Sequence, residues 1–322
     1  MAFKIVSTSP TFGFYVQEPV DYLKANGCVV NLVPQGKKLN ETELIEYASE
    51  CDAMIVAVEK ITARVIRAAN NLKVIAKHGA GVDNIDMAAA TERGIVVTSA
   101  PGANSDAVAD LTIGLFLALA RQIPFADSSV KAGEWPRIIG TQFNKKTLGI
   151  IGVGQIGKKV ARRVMGFDME VLVYDVVEDS EFAEKTGARY VPLDDVLVKS
   201  DFISLHVPLT DRTRHLIGAR ELGLMKPSAF IVNVARGGVV DEDALLEALN
   251  QKQISGAAAD VYSQEPPKGN PLLEMENLIA TPHMGMYTRE SLIETGMMCV
   301  RNIVNALEGR KPQFLNNPEV FD

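Results

Sequence analysis

One stretch of this 322-residue chain restricts its fold more than any other. The apolar run Leu148-Gly149-Ile150-Ile151 leads into Gly152-Val153-Gly154-Gln155-Ile156-Gly157. A helical pattern over Lys158 to Gly166 follows, then a second apolar run, Glu170-Val171-Leu172-Val173-Tyr174, which delivers Asp175. In a strand–turn–helix–strand unit each of these glycines has a mechanical reason. Gly152 permits the tight turn, Gly154 lets backbone approach a pyrophosphate, and Gly157 lets the helix pack closely on the strand. The helix N-terminus then offers its unpaired N–H groups to phosphate. Asp175, at the tip of the second strand, is placed to accept hydrogens from both hydroxyls of an adenosine ribose.

The rest of the chain alternates in the same way. Over the first 100 residues or so, strands are expected at Lys4 to Ser7, Val29 to Val33, Ala53 to Val58, Val74 to Ala76 and Ile95 to Thr98. Helical patterns such as Glu41 to Glu50 and Ala63 to Asn70 separate them, and Asn40 with Glu43 forms an N-cap and back-bonding acid. Ser99-Ala100-Pro101-Gly102 interrupts the series, a helix is expected from Ser105 to Arg121, and the domain crossing is placed there. A second series has strands at Thr147 onward, Val171 to Tyr174, Phe202 to Val207, Phe230 to Ala235 and Leu278 to Thr281. Two alternating series predict an α/β protein with two doubly wound parallel-sheet domains. Arg289 to Glu308 is expected to form one long helix, and no short repeat or low-complexity segment is present.

Composition narrows the function. Hydrophobic residues make up 47% and charged residues 23% of the chain, which suits compact domains and not a disordered polymer. A net charge of -7 disfavours a nucleic-acid partner, which requires a concentrated basic face. Pairs such as Lys37-Lys38 and Arg162-Arg163 are expected to be solvated. Cys28, Cys51 and Cys299 are too few and too scattered for a disulfide framework or a metal site, so no metal and a reducing, cytoplasmic setting are expected. No basic segment precedes an apolar leader and no run approaches 20 apolar residues, so no membrane partner is expected.

The cofactor and the chemistry follow from a few side chains. Asp175 is succeeded by Val176, Val177, Glu178 and Asp179, with no arginine to hold a ribose phosphate, so NAD is expected over NADP. Removing a hydride from an alcohol carbon leaves a proton on oxygen, which requires a nearby base, while a cation holds the substrate. Arg236 follows one apolar strand, Glu265 lies in the loop Ser263-Gln264-Glu265-Pro266-Pro267, and His283 follows another strand. Ligands of open α/β sheets bind beyond the carboxyl ends of strands, where Arg236 and His283 fall. Of the other histidines, His215 sits in a polar run, His78 precedes Gly79, and His206 is expected inside a strand as a hydrogen-bonded structural residue.

At these residues the chain resembles the D-isomer-specific 2-hydroxyacid dehydrogenases, especially their phosphoglycerate dehydrogenase-like branch. The resemblance covers nearly the whole chain. It runs through Gly79-Ala80-Gly81-Val82-Asp83-Asn84, Ala100-Pro101-Gly102-Ala103-Asn104-Ser105, Gly152 to Gly157, His206-Val207-Pro208-Leu209-Thr210, Asn233 to Asp241, Ala259-Asp260-Val261, Glu265-Pro266-Pro267 and Pro282-His283. It implies that His283 is the acid/base, Glu265 its partner and Arg236 a ligand of the substrate carboxylate or carbonyl. Backbone amides around Ala80, Gly81 and Val82 would hold the carboxylate. Asp260 would contact the nicotinamide carboxamide, and Gln155, Ile156, Val207 and Val234 would line the cofactor. It also implies a Rossmann dinucleotide domain, 101–285, inserted in a flavodoxin-like substrate domain formed by 1–100 and 286–322. A homodimer is implied as well, with Arg121 to Trp135 as its arm.

The chain departs from its relatives in several places. Glu59 stands where phosphoglycerate dehydrogenases usually carry an arginine that helps hold phosphate, leaving Lys37, Lys38 or Lys60 as candidate cations. Ala80 replaces a common threonine and Asp110 a common glutamate. The short tail after the last helix is expected to carry no regulatory domain. The alternative substrates are hydroxypyruvate, glyoxylate or another short 2-oxoacid. A further reading is a NAD-sensing corepressor, which shares the arginine, glutamate and histidine set but uses a long flexible tail.

Overall fold

The computed structural model describes residues 2–37 and 39–321 and divides into two compact units, Met1–Asn104 with Met286–Asp322, and Ser105–Gly285. Lys38 lies outside the described residues.

The first unit is a five-stranded parallel sheet, β1 (Lys4–Ser7), β2 (Val29–Leu32), β3 (Ala53–Val56), β4 (Val74–Lys77) and β5 (Val96–Thr98), in the order β2-β1-β3-β4-β5. Its crossover helices are α1 (Glu18–Ala25), α2 (Glu41–Ser49), α3 (Ala63–Ala68) and α4 (Met87–Glu92). Asn40 and Glu43 make the expected reciprocal capping box at the start of α2. The helix Arg289–Leu307 returns to pack Cys299, Val300 and Ile303 against Ile5, Ile55 and Val74.

The second unit is a seven-stranded parallel sheet in the order β12-β11-β10-β9-β6-β7-β8. Its strands are β6 (Thr147–Ile151), β7 (Glu170–Tyr174), β8 (Arg189–Tyr190), β9 (Phe202–Leu205), β10 (Phe230–Asn233), β11 (Gly256–Ala259) and β12 (Leu278–Ala280). The helices are α5 (Ser105–Ala120), α6 (Ile123–Lys131), α7 (Gln155–Val164), α8 (Ser180–Thr186), α9 (Leu193–Lys199), α10 (Ala219–Leu224) and α11 (Glu242–Asn250). Strand order reverses at β6, the position at which a doubly wound sheet opens a ligand crevice. Helix α5 is apolar because it is a core helix: Phe116 meets Phe202 edge-on at 5.4 Å, with Val108, Leu115 and Leu119 also buried. Among the described residues no single helix is long and apolar enough to cross a membrane.

Strand β9 ends earlier than expected, at Leu205, so His206 lies just beyond it. His206 is also not hydrogen-bonded through its side chain: both ring nitrogens are buried without a partner. Burial pulls the ring down to about 3, so it stays neutral and needs no counter-charge.

Candidate active site

In this structure the three fingerprint glycines hold three different positions. Gly152 has φ +96°, and a Cβ there would come within 2.6 Å of the His206 carbonyl oxygen and 2.9 Å of Val207 Cγ1. At Gly157 a Cβ would run into the Gly152 carbonyl, so only glycine lets α7 approach β6 this closely. A Cβ on Gly154, by contrast, would point into open space. Gly154 is also the N-cap of α7 and offers no capping side chain, so first-turn N–H groups remain available to an anion. This is the surface a dinucleotide pyrophosphate requires. Gln155 is exposed beside it, Ile156 is half-buried, and Val207 flanks Gly152, whereas Val234 is buried in the core of the unit.

Asp175 is tied to this turn. Its Oδ2 accepts from the Val153 N–H at 2.6 Å and its Oδ1 from the Val177 N–H at 3.2 Å. A carboxylate has about four acceptor positions, so these two bonds orient Asp175 and leave capacity for ribose hydroxyls. It borders an open recess of about 610 Å³.

The reacting side chains come from the turns after β10, β11 and β12, at the same sheet end as the glycine turn because all seven strands are parallel. His283 Nδ1 lies 2.7 Å from Glu265 Oε2. The other Glu265 oxygen accepts from the Tyr262 N–H at 3.0 Å. Burial raises the Glu265 carboxyl, but the His283 and Tyr262 hydrogen bonds and the charges of His283 and Arg236 outweigh it, holding it below the ordinary glutamate value. An ionised carboxylate can only accept, so Nδ1 carries the proton and Nε2 is left to exchange one. Because the Glu265 value is depressed, this interaction is fully present above the ordinary glutamate range and is lost as pH falls through the lowered value.

The supporting contacts join these turns. Asn233 accepts from the Ala235 N–H at 3.1 Å and donates to the Arg236 carbonyl at 3.0 Å, closing the turn that carries Arg236. The Arg236 guanidinium donates once to the Ala235 carbonyl, at 2.7 Å, which leaves most of its donor fork unspent. Gly237 packs directly on the Tyr262–Ser263 backbone, the segment that also holds Glu265. Asp260, 1% exposed, accepts from Thr281 Oγ1 at 2.6 Å and from the Met284 and Gly285 N–H groups at 2.9 Å each. It thereby clamps both sides of His283, whose backbone sits at φ +52°. That clamping role was not apparent from sequence position, since all three partners lie more than twenty residues away along the chain.

In the first unit, Ala80, Gly81 and Val82 form the turn after β4, with Ala80 exposed. His78 is buried there, Nδ1 3.1 Å from Ser9 Oγ and its ring edge-on to Phe12, and burial with the Lys77 charge pulls it down to about 4. His215 lies 3.4 Å from Asp241 on the surface of the second unit. Cys28, Cys51 and Cys299 are free and buried, and among the described residues no cluster of three or more His, Cys, Asp or Glu could hold a metal.

Residues 113–285 match the family "D-isomer specific 2-hydroxyacid dehydrogenase, NAD binding domain". Over 287 residues the chain is 46% identical to a D-3-phosphoglycerate dehydrogenase of Methanocaldococcus jannaschii, covering 88% of this chain and 55% of that one. The chain thus spans about half the length of the curated phosphoglycerate dehydrogenases it matches. It is 41% identical to a glyoxylate reductase of Thermococcus litoralis, covering 86% of this chain and 87% of that one. The crystal structure of a D-lactate dehydrogenase from Aquifex aeolicus, complexed with NAD and lactic acid, superposes with a TM-score of 0.81 at 31% identity, covering 95% and 96% of the two chains.

Proposed function

Because the chain belongs to the D-isomer-specific 2-hydroxyacid dehydrogenase family, we propose that it moves a hydride between NAD and the carbinol carbon of a small D-2-hydroxyacid. The observation that carries this reading is the 2.7 Å His283–Glu265 contact at the same sheet end as the glycine turn, with Arg236 on an adjoining turn. We assign the Rossmann unit to NAD and the first unit to substrate.

Nicotinamide, when bound, supplies or accepts the hydride, and the chain's own residues do the rest. Arg236 presents a planar fork to the substrate carboxylate or carbonyl. His283 gives a proton through Nε2 to the oxygen of a 2-oxoacid, or takes one from the hydroxyl in the reverse direction. Glu265 holds the imidazole in that tautomer and stabilises its charged form. Asp260, by fixing the residues flanking His283, keeps the ring in register. Arg236→Lys keeps the charge and loses the fork, so KM for the oxoacid should rise about tenfold or more while the NADH dissociation constant stays nearly constant. Steady-state kinetics with a parallel NADH titration checks this, and an unchanged KM would remove Arg236 from the substrate.

A short, unphosphorylated 2-oxoacid such as glyoxylate or hydroxypyruvate is favoured over a phosphorylated one. At the position where relatives carry a phosphate-binding arginine, Glu59 instead accepts from the Ala57 N–H at 3.0 Å. Lys37 is paired with Glu43 at 2.9 Å. The test is NADH oxidation by purified protein across glyoxylate, hydroxypyruvate, pyruvate and phosphohydroxypyruvate. Turnover should be highest with an unphosphorylated member. Preference for phosphohydroxypyruvate would overturn the substrate choice, and no oxidation with any member would overturn the dehydrogenase reading.

A homodimer in the cytoplasm completes the proposal. Ile123, Phe125, Val130, Trp135 and Ile139 expose apolar side chains on α6 and the segment after it, and Trp135 is 86% exposed. Exposed apolar side chains gathered along one segment suit burial against a second copy. A monomeric mass in sedimentation equilibrium at micromolar concentration would contradict it.

A further inference from the structure

Lys158 stands in the first turn of α7, the fingerprint helix, at the end where the helix dipole disfavours a cation. It is held there by Asp179, an ion-pair contact that spans 21 residues of sequence, and its ammonium lies 5.8 Å from the centre of the Phe182 ring. Lys158 and Asp179 both line the recess beside Asp175, where the other charged groups are Glu178 and Glu181. Among the described residues lining it, Lys158 is therefore the single cation, and Asp179 occupies it. Asp179 is at the same time the N-cap of α8, accepting from the Phe182 N–H at 2.9 Å.

We propose that Asp179 is a second determinant of cofactor choice, acting by locking Lys158 away from the ribose 2′ position. The inference rests on the reading of this recess as the ribose site of NAD. A 2′-phosphate entering beside Asp175 would meet several carboxylates and a lysine already neutralised, so it finds no free cation. With Asp179 uncharged, Lys158 becomes available to a phosphate in the same recess. Asp175 excludes the phosphate directly, whereas Asp179 withholds the group that would attract it. The Lys158 hydrogen bond and then the Phe182 N–H hold the Asp179 carboxyl below the ordinary aspartate value, so the lock is closed at neutral pH.

The test uses Asp179→Asn, because asparagine caps a helix about as well as aspartate and removes only the charge. NADH and NADPH dissociation constants are measured by fluorescence titration for the wild type, Asp179→Asn and Asp179→Asn with Lys158→Met. The single variant should bind NADPH about five- to tenfold more tightly relative to NADH, the size expected for one charge near a dianion in partly solvated surroundings. Adding Lys158→Met should erase that gain, and raising the salt concentration should shrink it. An unchanged NADPH to NADH ratio in Asp179→Asn, or a gain that survives Lys158→Met, overturns the role of Asp179. If the asparagine variant no longer binds NADH, Asp179→Ser, which also caps, is read by the same criteria. A wild-type protein that binds neither nucleotide would instead refute the nicotinamide reading itself.

Discussion

Replacing His283 with alanine is expected to lower turnover by about 10²- to 10⁴-fold in both directions, the usual worth of a positioned acid/base. The expectation follows from geometry. Glu265 occupies Nδ1 at 2.7 Å, so Nε2 is the ring nitrogen left for substrate, and alanine leaves nothing in its place to exchange a proton. The glycine turn and Asp175 do not involve His283, so NADH affinity should change little. Turnover numbers alongside an NADH fluorescence titration separate the two effects. A variant that keeps most of its turnover would show that another group handles the proton.

The second large effect is expected at a residue with no chemistry of its own. In Gly237→Ala the new methyl would lie closer to the Tyr262 carbonyl and the Ser263 nitrogen than any real Cβ approaches backbone. Neither neighbour is a flexible side-chain tip, so the Arg236 turn and the Glu265 turn must separate. Displacements near 1 Å cost about 10²-fold in rate, and kcat/KM should fall by at least that. Overpacking of this kind also costs about 1–3 kcal/mol, so the melting temperature should drop as well. Kinetics and a thermal melt on the same preparation check both, and near wild-type values would show that the two turns are not mechanically joined.

Much of this site was legible before the structure because it depends on local rules. Three glycines between a strand and a helix, and an acid at the next strand tip, describe one supersecondary unit whose spacing is fixed by backbone geometry. Arg236 and His283 were legible through their positions after apolar runs, and the resemblance joined Glu265, a loop residue, to them. Elements with weak local signals were missed. Strand β11 is Gly256-Ala257-Ala258-Ala259, with no β-branched or aromatic residue, and is a strand because β10 and β12 pair with it on either side. Strand β8 has two residues at the sheet edge, and α4 is an alanine-rich turn and a half whose clearest sign is the Asp86 cap.

The remaining gaps concern contacts between distant residues. Lys158 has no local signal beside Asp175, because it comes from the preceding helix and not from the residues that follow the acid. His206 was expected to find a hydrogen-bond partner, and burial settles it as an unpaired neutral ring instead.

The central claim is that Glu265 and His283 act as one proton-exchanging unit, and pH–rate profiles in both directions, for the wild type and Glu265→Gln, test it most directly. Reduction uses the protonated ring and oxidation the neutral one, so the wild-type profiles should slope in opposite senses. Glutamine keeps the approximate shape and removes the charge that stabilises the imidazolium, so the pH above which reduction declines should move down and the neutral-pH reduction rate should fall. Parallel profiles in the two directions, or a Glu265→Gln profile that coincides with the wild type, would contradict the account.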